Sequence, residues 1–178
     1  MAGTNGRREK RMYVPARIAV IGVGNEYRRD DGVGWAVVSR MSERARCRPL
    51  PGEAILTACD GDPARLIAMW EDTHLTIVVD AAHARPAHPG RVHRLQFEGD
   101  QPWRPRSKTS SHGLGLSDAV ELARVLDRLP RQLVVFAVES AETSLGSGLS
   151  QQVSDVVEPL ANRIEEEIRH TVVRAINS

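Results

Sequence analysis

Aromatic residues make up only 4% of the 178-residue chain and cysteine occurs twice. No apolar run approaches the roughly 20 residues needed to cross a bilayer as a helix. Cys47 and Cys59 have no C-x-x-C spacing, which argues against a cysteine zinc site and a disulfide framework. Charge of one sign is also missing: 24 Lys and Arg stand against 23 Asp and Glu, for a net charge of +1. No global field therefore draws the chain to nucleic acid or to an anionic membrane, and partner choice must be local. With no apolar leader after the basic start, a cytoplasmic protein is expected. Internal repeats are absent as well.

Hydrophobic residues reach 41%, enough for one domain with a substantial core. Residues 1–14, with Arg7, Arg8, Lys10 and Arg11, are expected to be a disordered basic arm, and 15–178 a single domain.

The stretch from Arg17 to Gly34 organises the rest. Ile18, Val20 and Ile21 suit a buried strand, and Gly22 and Gly24 let the chain turn sharply at its carboxyl end. In open α/β sheets ligands bind at that end. The third glycine position is Tyr27 and Asp30-Asp31 would oppose a pyrophosphate, so the stretch argues against a dinucleotide-binding G-x-G-x-x-G loop. Paired carboxylates suit a cation instead. The competing role for Asp30 or Asp31 is to cap the helix starting near Gly32.

Val33, Val37 and Met41 predict a first crossover helix, and Glu53–Cys59 a second strand, followed by Asp60. Asp60 is open to two roles, an Asx turn or a place in the site. A short helix follows over 62–70, with Leu66, Ile67 and Trp70 inward. Leu75–Asp80 is the most strand-like run, a central parallel strand with Asp80 at its tip, expected as an exposed carboxylate. Gly90–Phe97 alternates as an antiparallel edge strand. His83 and His88 are expected on the surface and His93 idle on the polar face. After an irregular loop over 98–108, His112 approaches a helix with Leu116, Ala119, Val120, Ala123 and Leu126 or Leu129 as its packed stripe. Gln132–Val138 is the last strand, tipped by Glu139-Ser140. A helix over about 150–175, with a predicted kink at Pro159, closes the fold. These elements predict a three-layer α/β sandwich: about five strands, mostly parallel, one antiparallel at an edge, with helices on both faces.

In order, Gly22-Val-Gly-Asn25, Asp30-Asp31-Gly-Val-Gly34, a buried strand ending in Asp80, and Ser111-His112-Gly-Leu-Gly-Leu-Ser-Asp118 resemble the hydrogenase maturation proteases. The similarity runs from Ile18 to about Ile168. These endopeptidases trim the C-terminus of the nickel-iron hydrogenase large subunit precursor. The resemblance implies that Asp31, Asp80 and His112 form the metal-binding and catalytic set. Relatives often have Glu at the first place, where this chain has Asp31 beside Asp30. The resemblance also implies that nickel arrives in the precursor as a recognition mark. Two carboxylates and an imidazole suit nickel, zinc or manganese with open positions. The alternative is a non-catalytic nickel-sensing or precursor-binding module of the same fold.

Overall fold

The computed structural model describes residues 16–98, 110–111 and 114–177. The expected basic arm, most of the irregular loop and His112 lie outside the described residues.

The chain runs β1 (Arg17–Val23), a 3-10 turn (Arg29–Gly32), α1 (Val33–Cys47), β2 (Glu53–Cys59), α2 (Pro63–Trp70), β3 (Leu75–His83), β4 (Val92–Glu98), β5 (Ser110–Ser111), α3 (Leu114–Val125), β6 (Gln132–Glu139) and α4 (Gln151–Asn177). The sheet order is β2-β1-β3-β6-β4, with β5 pairing β3 beside this path. The first four strands of that order are mutually parallel, and β4 is antiparallel against β6 at the edge. Only the two-residue β5 was not expected; it is too short to show any periodicity.

Alternation along the strands divides the core into two layers. Ile18, Val20, Ile77, Val79, Val134 and Phe136 pack with α1 and α4 on one face. Ala19, Ile21, Val78, Leu133 and Val135 pack with α2 and α3 on the other. Covering on both faces explains why β1, β3 and β6 read as continuous apolar runs. Beyond the end of α3, Leu129 rather than Leu126 extends the packed stripe, since Leu126 is exposed. α4 continues through Pro159. Its Glu158 and Glu165 take ion pairs from Arg40, Arg44 and Arg48, fixing α4 against α1 and the turn that follows it.

From β1 the chain crosses through α1 to β2 on one side, and through α2 to β3 on the other, so the carboxyl ends of β1 and β3 flank the point where the winding reverses. Such a crevice is where open α/β sheets bind ligands. Two glycines bring α1 into it. A methyl group at Gly34 would stand 2.5 Å from the Val79 carbonyl oxygen and 2.6 Å from the Val23 amide nitrogen, and one at Gly22 would stand 2.2 Å from the Gly34 carbonyl oxygen. These are backbone atoms, so a side chain could enter only by moving the helix.

Gly34→Ala should therefore destabilise the domain by about 1–3 kcal/mol, the usual cost of overpacking. Val78→Asp should abolish cooperative unfolding by burying an unpaired charge. Urea titration checks both, and an unchanged midpoint for Gly34→Ala would show that α1 yields without cost.

Candidate active site

The two neighbouring aspartates of the first loop have different surroundings. Asp30 is fully buried. Its Oδ1 accepts the Ser150 N–H at 2.6 Å, and its Oδ2 accepts the Ala141 N–H at 2.8 Å, the Glu142 N–H at 3.1 Å and the Ser150 hydroxyl at 2.9 Å. Its own amide donates to the Glu142 carbonyl at 3.0 Å. Asp30 thus holds the segment between β6 and α4 against the first loop. Asp31 is half-buried, and its Oδ2 accepts the Asn25 N–H at 2.9 Å. Neither aspartate caps α1, whose N-cap is Gly32 without a side-chain bond.

Asp80 is the second departure from expectation, for it is not exposed at all. It lies within β3, three residues before the strand ends, rather than at its tip. Among the described residues neither carboxylate oxygen has a hydrogen-bond partner. Burial, aided by the charge of Asp31, pushes its pKa up to about 8, and the nearby Ala81 amide offsets only part of this. The turn that carries Asp31 lies against β3, the strand that carries Asp80. Asp60 does not join them: it is exposed, and its Oδ1 receives the Asp62 N–H and the Arg65 guanidinium, both at 3.4 Å, as a turn residue. Asp62 caps α2 by accepting the Arg65 N–H at 2.8 Å.

His112 lies outside the described residues. Ser111, which precedes it, pairs with Ala82 on β3, two positions beyond Asp80. Among the described residues, no three His, Cys, Asp or Glu side chains form a group that could hold a metal ion.

The tips of β3, β4 and β6 carry polar contacts that sequence reading missed. Glu139 is 1% exposed. Its Oε1 pairs with His93 Nε2 at 2.7 Å, and its Oε2 accepts the His88 N–H at 2.5 Å. Burial alone would raise its pKa, but these bonds and the charge of Arg91 hold it below the usual carboxylate value. His93 is therefore not idle: it partners the buried carboxylate that secures the loop after β3. His83 is half-buried, with Ser140 Oγ 3.2 Å from Nδ1 and Thr143 Oγ1 3.5 Å from Nε2. The available signal was the Glu139-Ser140 pair, a carboxylate directly following a strand too apolar to leave its tip in water.

Because the folded protein holds the Asp80 proton more tightly than the unfolded chain, stability should fall as pH rises from about 4 towards 8, by on the order of a few kcal/mol, and level off above. Asp80→Asn should remove that slope. Asp30→Ala, by contrast, should cost about 3 kcal/mol or more, because four donors lose their acceptor. Chemical denaturation across this pH range measures all three effects, and a wild-type curve with no decline towards pH 8 would contradict the burial of an ionisable Asp80.

The chain matches the hydrogenase maturation protease family over residues 54–167. It is 29% identical over 164 residues to the hydrogenase 2 maturation protease of Escherichia coli (strain K12), covering 90% of this chain and 95% of that one. The solved hydrogenase maturating endopeptidase HybD from E. coli superposes with a TM-score of 0.68 at 24% identity, covering 87% of this chain and 93% of that one. HybD from Thermococcus kodakarensis gives 0.67 at 22% identity, covering 85% and 99%. At those identities the two structures establish the shared fold. Taken with the family match across well over half the sequence, they place the chain: it belongs to the hydrogenase maturation protease family.

Proposed function

We propose that this protease removes the C-terminal extension of the nickel-loaded hydrogenase large subunit precursor, and that Asp31, Asp80 and His112 recognise the bound nickel. The observation that carries the reading is the state of Asp80, fully buried on the strand that packs against the Asp31 turn and without a hydrogen-bond partner among the described residues. A buried carboxylate is costly unless paired. A cation between Asp31 and Asp80 supplies the missing partner and favours the ionised form. The position of Ser111 against Ala82 supports adding the His112 imidazole to the two carboxylates. Nickel accepts such a mixed oxygen and nitrogen set.

In this reading nickel is part of the substrate. Precursor ligands already occupy some of its coordination positions, and the protease supplies others, so binding depends on metal insertion having been completed. The scissile segment is held next to the metal, and orientation there contributes to the rate of hydrolysis. No helix among the described residues is long and apolar enough to cross a membrane, and we place the reaction in the cytoplasm, where the unprocessed precursor is met.

The test is processing of nickel-loaded and metal-free precursor by wild-type protein and by Asp31→Asn, Asp80→Asn and His112→Ala. Only the loaded precursor should be shortened, and each substitution should slow that step roughly a hundredfold or more. Equal cleavage of metal-free precursor would contradict nickel recognition. Binding without cleavage by the wild-type protein would instead identify a non-catalytic nickel-sensing module.

A further inference from the structure

Two large apolar side chains stand in solvent on the two loops that buried Asp30 ties together: Tyr27 is 69% exposed and Leu145 is 78% exposed. They belong to different loops that are joined by backbone pairing. The Gly146 N–H donates to the Tyr27 carbonyl at 2.9 Å, and the Arg29 N–H donates to the Gly146 carbonyl at 2.9 Å. Arg28 and Gly146 form a parallel bridge, and Arg29 pairs with Glu142 at 3.4 Å across the same seam. The bonds to buried Asp30 fix this seam from beneath. The loops are thus held in place with both apolar groups exposed.

We infer that Tyr27 and Leu145 form the docking rim for the precursor, receiving an extended polypeptide segment that carries apolar side chains next to its metal site. This rests on the proposed function, since the occupant is argued from continuity with the crevice. Tyr27 precedes Asp31 by four residues, and Leu145 lies three residues after Glu142, whose amide Asp30 holds. Tyr27 thus shares the first loop with Asp31, and backbone pairing brings Leu145 alongside it. A tyrosine fixed at the edge of a cleft offers large contact area at little cost in side-chain ordering, the property that makes tyrosine common among residues that dominate interfaces. The rim therefore acts in binding and not in bond cleavage.

The experiment is steady-state processing of nickel-loaded precursor by the full chain carrying Tyr27→Ser, Leu145→Ser or both, with the pair Tyr27→Phe and Leu145→Met as the conservative variant. The double serine variant should raise KM about tenfold or more while kcat stays within about twofold, and the conservative pair should restore KM. Thermal midpoints should not move, because both side chains are exposed. Asp80→Asn in the same assay reports separately on the site. If wild type and Asp80→Asn behave as proposed but the serine variants keep a normal KM, the docking rim is wrong and the nickel site stands. If wild-type protein neither binds nor cuts the precursor, both are wrong. A wild-type dimer that the serine variants dissociate, with KM unchanged, would assign the rim to a second copy of the chain and overturn the inference.

Discussion

The buried carboxylate of Asp30 accepts three backbone N–H groups and one hydroxyl, all from the segment that joins the last strand to the last helix. Loops at the open end of a doubly wound sheet have few apolar contacts to hold them, and backbone amides drawn away from water need acceptors. One charged side chain meets that need for a whole connection. The turn that carries Asp31 is consequently part of the same rigid unit as the segment leading into α4. Removing the Asp30 charge would leave several buried donors unsatisfied at once, so the constraint is cooperative rather than a sum of weak contacts.

From that anchor the site can be followed outward. Gly34 and Gly22 let the start of α1 lie against the backbones of β1 and β3, next to the turn that carries Asp31. Asp80 is reached from the other side, on a strand buried on both faces. The two carboxylates thus come from elements whose own positions are fixed by backbone contact, an arrangement that holds ligands accurately. Among the described residues the buried Asp80 carboxylate has no partner, and such a group costs stability wherever it is ionised. Tyr27 and Leu145 are exposed on the two loops that Asp30 joins.

Much of this was legible in the sequence. The apolar runs of β1, β3 and β6, the alternation of β4 and the helical stripes identify the layers, because each period reports directly which faces are covered. The antiparallel placement of β4 is legible because too few residues separate it from β3 for a crossover helix. What the sequence did not reveal depends on contacts between distant residues. Asp30 and Asp31 are adjacent and identical in type, and only the fold, by bringing Ser150 and Ala141 to Asp30, separates an anchoring carboxylate from one facing the crevice. Asp80 was expected in solvent because it ends an apolar run, yet the strand continues through Ala81 and Ala82 to His83, where β5 and β6 cover it. His93 was expected to be idle because alternation puts it on a polar face, whereas its partner Glu139 lies 46 residues away on the neighbouring strand.

The central claim is that Asp31 and Asp80 bind the nickel carried by the precursor, and nickel K-edge absorption on a slow-cleaving mixture of precursor and protein tests it most directly. The account predicts that adding the wild-type chain gives the nickel additional oxygen or nitrogen ligands, and that Asp31→Asn combined with Asp80→Asn abolishes this change although the protein still folds. A nickel spectrum unaltered by the wild-type chain while the precursor is being cleaved would contradict it.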